Sequence, residues 1–434
     1  MIRYRIVLAG MLLLILVGCT PTEETPLAAS DEPATAALPD EPLLPTRTPA
    51  PGEPTATATP TESPTETLAP TEEPTPTPQS PFTQVILGGD LPEGAIDDLW
   101  VAPDGRLWVV IDGDIYAYTD EGWELLHEGA FDFIMGEDGG GRIWAIVDDE
   151  TRIAMYDQAT WMVFGEESGW PGGAARDPVL GPLGGIWVRY RDELRRFDPL
   201  SLTWETFTAD QIGFPSLDDY EWEPEPGRFL TDLVVDQAGN VWVGNCIFSG
   251  IVIEGQGVRW FNGQAWAGAT ETAEECVQDI EVDAAGRVWM AAFDGLIQYD
   301  PTAGTWMHIA LPEWERPQLV GQLILDDVGN PWVMFTRFGG AGPWHSNAIY
   351  HLEDGEWGAD FDPGGYLYMI ATTAPDGSLW VCTEGVVWRL SRLGNQEIGL
   401  FPAICRQMAV DGRGRLWLMG ERGMDEFGLW WYEE

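Results

Sequence analysis

Few residues of this 434-residue chain have the types and spacing that enzyme chemistry requires. All 22 Lys+Arg residues are arginines, so chemistry that needs a lysine amine, such as a Schiff base or a P-loop phosphate clamp, is excluded. The four histidines form no HExxH motif or close pair, and no Gly-x-Ser-x-Gly elbow occurs. Asp112-Gly113-Asp114 begins like a calcium loop but lacks its glycine and closing glutamate, so we expect a hairpin turn there. The sequence predicts no catalytic residue and no metal site.

The net charge of the chain limits the kinds of molecule that it can bind. With 71 Asp+Glu residues against 22 arginines, the net charge is −49. This charge repels phosphate backbones and anionic membrane surfaces. We therefore expect no nucleic-acid partner, and any charged partner should be cationic or metal-bearing.

Residues 1–18 have the pattern of a bacterial secretion signal. Arg3 and Arg5 precede an apolar run, residues 6–17, that is too short for a comfortable membrane span. The run ends Leu16-Val17-Gly18-Cys19, which resembles the lipobox of bacterial lipoproteins. That resemblance implies cleavage before Cys19 and acylation of Cys19 with chains such as palmitate, whose buried methylenes each contribute about 0.8 kcal/mol to membrane binding. An ordinary secretory signal and an uncleaved anchor are the alternatives.

Residues 19–81 are rich in Thr, Pro and Glu and have few large apolar residues. Such a composition cannot bury a core, so we predict a disordered, extended stalk. Its threonines could carry O-linked sugar. Together with the lipobox, the stalk indicates a lipid-anchored, extracytoplasmic protein at the cell membrane or cell surface.

One pattern recurs eight times after residue 81: a glycine, two further residues and a tryptophan. The eight tryptophans are Trp108, Trp144, Trp187, Trp242, Trp289, Trp332, Trp380 and Trp417. Their seven intervals average about 44 residues, which is a propeller period. In five copies an aspartate stands six residues before the tryptophan: Asp138, Asp236, Asp283, Asp326 and Asp411. Aspartate opening a turn and glycine at positive φ predict a hairpin in each repeat.

The segments around each hairpin predict four antiparallel strands per repeat, which make one propeller blade. His127 and His308 fall in outer strands of this pattern, where surface positions are expected. The eighth repeat lacks an outer strand, and residues 82–87 have the pattern of one. We therefore predict an all-β, eight-bladed β-propeller over residues 82–434, closed by its N-terminal strand. A seven-bladed ring is the alternative if one weak repeat is accessory.

The repeats resemble those of the two-component-regulator propellers, whose pattern runs Asp-x-x-Gly-x-Leu-Trp and then Gly-Leu and an aromatic-Asp pair. Residues 283–289 with residues 295–300 match it best. The resemblance implies the fold more than a function, because related repeats occur in sensor ectodomains, lyases and scaffolds.

Four cysteines remain after Cys19, an even number in an exported setting. Cys246 and Cys382 follow a repeat tryptophan at the end of a second strand, and Cys276 and Cys405 precede the next blade's inner strand. These positions lie on the same face of an up-and-down blade. We predict disulfides Cys246–Cys276 and Cys382–Cys405, each joining two neighbouring blades; pairings between distant blades are the alternative.

Three insertions interrupt the repeats on one face, which carries the loops between second and third strands and between blades; we call it the loop face. Their aromatic and histidine residues, ringed by carboxylates, are Tyr220, Trp222, Trp314, Trp344 and His345. Such platforms suit stacking on sugars, gripping a cationic peptide or, with calcium, binding an anionic glycan. The alternative is that these side chains cover loop cores or plug the central channel.

Two functions follow. The first is a membrane-tethered, monomeric and non-catalytic binding or scaffold module for a glycan, a peptide or an envelope protein. The second is an extracytoplasmic lyase or hydrolase acting on polysaccharide from the same face. Streptogramin lyases have similar short repeats and a catalytic histidine, and His345 is the one plausible equivalent here, although nothing around it matches.

Overall fold

The computed structural model describes residues 80–434 with gaps. The gaps are residues 90, 158, 171–174, 182–184, 191, 199, 218–226, 250–251, 294, 312–317, 338–346, 359–360, 362–368, 384, 392 and 424–426. The predicted signal peptide, Cys19 and the predicted stalk up to residue 79 lie outside the described residues. Within the described residues, no helix has both the length and the apolar composition needed to cross a membrane.

The chain forms an eight-bladed β-propeller from eight four-stranded antiparallel sheets. Blades 1 to 4 comprise β2 Ile96–Val101, β3 Leu107–Ile111, β4 Asp114–Thr119 and β5 Gly122–His127; β6 Phe131–Glu137, β7 Ile143–Val147, β8 Arg152–Tyr156 and β9 Trp161–Phe164; β10 Ala175–Leu180, β11 Ile186–Tyr190, β12 Glu193–Asp198 and β13 Thr203–Phe207; β14 Gly227–Val235, β15 Val241–Ser249, β16 Val252–Phe261 and β17 Trp266–Gly268. Blades 5 to 8 comprise β18 Val277–Val282, β19 Val288–Ala292, β20 Gly295–Asp300 and β21 Thr305–Ala310; β22 Gln318–Leu325, β23 Pro331–Arg337, β24 Asn347–Glu353 and β25 Glu356–Trp357; β26 Met369–Thr373, β27 Leu379–Thr383, β28 Val386–Ser391 and β29 Gly394–Leu400; β30 Ile404–Val410, β31 Leu416–Glu421, β32 Phe427–Tyr432 and the N-terminal β1 Thr83–Gln84.

The N-terminal strand closes the ring, as predicted. β1 is antiparallel to β32, with Thr83 opposite Trp431 and Gln84 opposite Trp430, and the Val85 N–H donates to the Leu429 carbonyl at 2.9 Å. The strand has two residues rather than the six expected. Eight blades are confirmed, and pairing the chain ends removes the edge that an open ring would expose.

In four of the five repeats that have the aspartate, its carboxylate organises the hairpin and holds the tryptophan. The Asp138 carboxylate accepts from the N–H groups of Gly140 and Arg142 and from Trp144 Nε1 at 2.9 Å. Burial alone would raise the pKa of Asp138, but these hydrogen bonds lower it. Asp236, Asp283 and Asp411 bind their tryptophans in the same way. The motif thus fixes the turn and the core side chain together.

The copy of the motif at Asp326, the fourth along the chain, departs from this arrangement. His351 Nε2 lies 3.3 Å from the Asp326 carboxylate, and the imidazole stacks on the Trp332 ring with the centroids 4.2 Å apart. The Trp332 N–H is buried without an acceptor. A histidine from the third strand therefore occupies the place that the indole N–H has in the other copies.

The core lies between blades, in eight clusters that each draw on two neighbouring sheets. Trp108 of blade 1, for example, packs with Phe131 and Ala145 of blade 2. All eight repeat tryptophans are 5% exposed or less. Burying a large aromatic ring in each interface accounts for much of the apolar stabilisation between blades.

Polar side chains on the inner strands add hydrogen bonds between blades. Each comes from the residue ten positions before the repeat tryptophan, which lies within or directly after a β-bulge of the inner strand. Asp98 accepts from the Ile134 N–H at 2.8 Å, Asp232 from Ile280 at 2.7 Å and Asp279 from Leu323 at 2.8 Å. These buried carboxylates fix the register of one blade against the next.

The structure confirms one predicted disulfide and corrects the other. Cys246 and Cys276 are bonded and join blades 4 and 5. Cys382 and Cys405 are two free, buried thiols, so the predicted Cys382–Cys405 bond is not formed in this structure. Cys382 lies two residues after its repeat tryptophan, whereas Cys246 lies four after, so the two pairs occupy different depths in their sheets. Burial, with a hydrogen bond that the Cys405 S–H donates to Cys382, raises the pKa of the Cys405 thiol, which keeps it protonated and unreactive.

Candidate binding site

The aromatic residues predicted to bind ligand cannot be placed by the structure. Tyr220, Trp222, Trp314, Trp344 and His345 all lie outside the described residues. Parts of the same insertions are described, and they show how the loop face is built next to blade 4. The ligand-binding role of these five residues stays a prediction.

A short helix begins the first insertion. In helix α1, Ala209–Ile212, Thr208 and Gln211 form a capping box and Gly213 ends the helix at φ 91°. Ala209 and Ile212 are buried in the core between blades 3 and 4. This packing holds the helix on the loop face, where the chain passes from β13 to β14.

A cleft of about 300 Å³ opens beside this helix. It is formed by two successive blade-to-blade connections and by the outer strands of blade 4. Its lining residues are Ile212, Gly213, Arg259, Trp266, Ala267, Gly268, Ala269, Thr270 and Ala273. Most of these residues are small, so one aromatic ring and one guanidinium dominate its surface.

Backbone carbonyls hold Arg259 in place. Its Nε donates to the Gly213 carbonyl at 3.2 Å, and Nη1 donates to the carbonyls of Val258 at 3.1 Å and Gln256 at 3.4 Å. The guanidinium also lies 5.1 Å from the centre of the Phe214 ring. Three carbonyls fix its orientation, whereas no carboxylate of the described residues neutralises it.

A glycine makes room for this arginine. Gly268 is directly opposite Arg259 in the pairing of β16 with β17. A Cβ at position 268 would lie 2.9 Å from both Cζ and Nη1 of Arg259, closer than real Cβ contacts. The guanidinium therefore lies across β17 only because the neighbouring residue has no side chain.

Arg259 differs from the arginines that pair with carboxylates in the electrostatic environment of its guanidinium group. Desolvation by burial lowers the pKa of Arg259, with no opposing contribution from a carboxylate. Ten arginines in the described part of the chain form ion pairs with Asp or Glu: Arg106, Arg142, Arg152, Arg195, Arg196, Arg287, Arg389, Arg406, Arg413 and Arg415. An arginine without such a pair stands out in a chain with net charge −49.

Trp266 forms the apolar wall of the cleft. Its ring packs edge-on against Phe207 and at a tilt against Phe261, with centroids 5.6 and 5.2 Å away. Its indole N–H is buried without an acceptor, as are those of Trp161 and Trp204 at the equivalent place in other blades. The equivalent Trp357 of blade 6 does donate, to the Ala310 carbonyl at 2.8 Å. The ring surface is what Trp266 offers the cleft.

Sequence reasoning missed Arg259 and Gly268. The long interval of 55 residues between Trp187 and Trp242 indicated an insertion here, and it led to the aromatic residues of that insertion. The pairing of Arg259 with Gly268 depends on strand register, which the spacing of tryptophans does not specify.

Acidic side chains gather on the loop face of blades 1 and 2. Burial raises the pKa of Asp97, against a lowering hydrogen bond from Gly113, and Asp112 and Asp132 raise it further. Across the described ranges, no group of three or more His, Cys, Asp or Glu side chains is arranged to hold a metal ion.

Comparison with known proteins finds similarity only to solved structures, and this similarity concerns the fold. No family model and no curated protein matches the chain. Solved structures with similarity include the extracellular domain of a putative hybrid two-component system from B. thetaiotaomicron, at 11% identity and TM-score 0.36, covering 81% of this chain and 54% of that one. YCF48 from Cyanidioschyzon merolae matches at 12% identity and TM-score 0.40, covering 81% and 98%. Dihydro-heme d1 dehydrogenase NirN matches at 10% identity and TM-score 0.45, covering 78% and 73%.

The chain spans about half the length of the first of these structures. At such low identity and TM-score the likenesses carry no functional weight. The class of protein is defined by the eight sheets themselves: an eight-bladed β-propeller with a cleft on its loop face.

Proposed function

We propose that this protein is an extracytoplasmic, non-catalytic binding module that takes its ligand on the loop face. The observation that carries the proposal is the cleft beside α1, where the chain departs from its repeat. β14, β15 and β16 have nine, nine and ten residues, whereas the corresponding strands of blade 5 have six, five and six. A blade lengthened around an open cleft supports recognition of a ligand.

The ligand class is a glycan, a peptide or an envelope protein. Glycan and peptide arrays probed with the protein test this, alongside the variants Trp222→Ala, Trp314→Ala, Trp344→Ala and Arg259→Gln. Binding that one or more of these changes weakens supports the loop face as the binding surface. Binding that none of them changes, or no binding in either array, would count against it.

Membrane tethering through Cys19 is part of the proposal. The lipobox-like sequence ending at Cys19 supports it, because dual acylation provides stable anchoring. Phase separation in a nonionic detergent should place the wild-type protein in the detergent phase and Cys19→Ser in the aqueous phase. Equal partitioning of the two proteins would refute the lipid anchor and leave the binding function intact.

A further inference from the structure

The cleft beside α1 combines a cationic donor with an apolar surface. Arg259 is held by three carbonyls and contacts no described carboxylate, and Trp266 and three alanines line the same cavity. Because Nε and Nη1 of Arg259 already donate to carbonyls, Nη2 is the group that can donate a charge-assisted hydrogen bond to a ligand carboxylate. Aromatic rings pack against the apolar face of a sugar. The two groups together describe a ligand that has both features.

We propose that this cleft binds a uronic acid, with its carboxylate accepting from Arg259 and its ring lying against Trp266. The inference rests on the proposed binding function and names the ligand class. A cavity of about 300 Å³ is at the lower end of the range for small-ligand sites, so it takes a single sugar ring. Small residues at 267–269 keep its entrance open to a flat ring.

The net charge of the chain limits what kind of acidic glycan fits. A charge of −49 repels a polyanion, but this repulsion is screened beyond about 8 Å at physiological salt. One carboxylate that reaches Arg259 gains a charge-assisted hydrogen bond at a half-buried site. We therefore expect recognition of an isolated or terminal uronic acid rather than a densely charged polymer.

Gly268 is the second determinant of the cleft. Because a Cβ at this position would lie 2.9 Å from the guanidinium carbon, any larger residue moves Arg259 out of its position across β17. The absence of a side chain at position 268 and the cation at 259 thus depend on one another. A variant at either position should remove carboxylate recognition without touching the aromatic wall.

Calorimetric titration of the purified protein with glucuronate and with glucose tests the inference, at about 0.15 M salt. The two sugars differ at the carboxylate, so wild type should bind glucuronate at least tenfold more tightly. Arg259→Gln should abolish that preference, Arg259→Lys should reduce it, and Gly268→Val should weaken glucuronate binding. Arg152→Gln removes the same charge at an exposed position of blade 2 and should leave the preference unchanged.

Several results would overturn the inference. These are equal affinity for glucuronate and glucose, the same loss in Arg152→Gln as in Arg259→Gln, or tighter binding of a peptide with a free C-terminus than of glucuronate. Thermal unfolding serves as the folding check, since glucuronate should raise the Tm of wild type and not that of a folded Arg259→Gln protein. Array binding that does not involve uronic acids would sink this inference alone, whereas empty arrays would sink the binding function as well.

Discussion

Two of the interfaces between neighbouring blades, which we call seams, are held together by different interactions. Between blades 4 and 5, the Cys246–Cys276 disulfide joins the sheets, and Gln278 Nε2 lies 3.3 and 2.6 Å from the two sulfurs. Between blade 8, in which the two chain ends pair, and blade 1, no covalent bond is present among the described residues. There Gln407 accepts from the Leu99 N–H at 3.0 Å and donates to the Asp98 carboxylate at 2.7 Å.

The difference relates to what each seam supports. The connection from β17 to β18 ends at Cys276, and residues of that connection, Ala269, Thr270 and Ala273, line the cleft. The disulfide thus anchors one wall of the candidate site. The closing seam supports no such wall, and it depends on a buried polar pair and on the outer strand β1. We expect the first seam to respond to reductant and the second to pH and to loss of β1.

The largest expected effect comes from removing the anchor of the closing strand. Phe82 is 7% exposed and packs edge-on against Phe401 with centroids 5.5 Å apart. Phe82→Ala should lower the free energy of unfolding by about 3–5 kcal/mol, as for other buried Phe→Ala changes. Ile86→Ala is the control, because Ile86 is 70% exposed. Phe82 lies in the core between blades 7 and 8, so equal losses of the two variants in denaturant titration would show that Phe82 does not anchor β1 on blade 8.

The next effect should come from the disulfide. Cys246 and Cys276 are 30 residues apart, and closing a loop of that length contributes about 3.5 kcal/mol in the chain-entropy model. Replacing both with alanine should lower the unfolding free energy by about that amount, and a reductant should then have no further effect. In the Cys382→Ala/Cys405→Ala protein, reductant should still destabilise the fold. Insensitivity of that control to reductant would contradict the assignment.

Titration of Asp98 should distinguish the closing seam by pH. Desolvation raises the pKa of Asp98 to about 6, against lowering hydrogen bonds from Ile134 and Gln407. From pH ~3.8 to ~6 the unfolded chain loses this proton and the folded chain keeps it, so stability falls as pH rises. Relative to Asp98→Asn, wild type should lose up to ~3 kcal/mol over this window. A pH-independent difference between the two proteins in denaturant titrations would disprove the shift.

The smallest effect is chemical and concerns the thiols at the seam of blades 7 and 8. Cys382 and Cys405 are buried, so a thiol reagent should label neither in the folded protein. After unfolding without reductant, peptide mapping should find both labelled and Cys246 and Cys276 unlabelled. If Cys382 and Cys405 are not labelled in the unfolded protein, they are disulfide-bonded after all, and the two seams that contain cysteine pairs have the same bond.

Much of the fold was predictable because the repeat specifies it locally. Gly105 and the equivalent glycines among the described residues have positive φ in the turns where the sequence placed them. Asp138, Asp236, Asp283 and Asp411 bind the tryptophans that follow them. The pairing of β1 with the last blade followed from counting strands. The predicted disulfide between Cys382 and Cys405 was wrong, although the two thiols are neighbours. Placement on one face of adjacent blades brings two cysteines together without determining whether they are bonded.

The sequence by itself determined the propeller, its eight blades, its closure and one disulfide, since each depends on residue types at fixed spacing within a repeat. Only the tertiary structure decided that Arg259 has no acidic partner among the described residues and that an open cleft lies beside it. Those properties arise from strand register and from contacts between blades. Arg259 is opposite Gly268 on the neighbouring strand and donates to the Gly213 carbonyl of the preceding blade-to-blade connection. No local sequence pattern specifies these contacts.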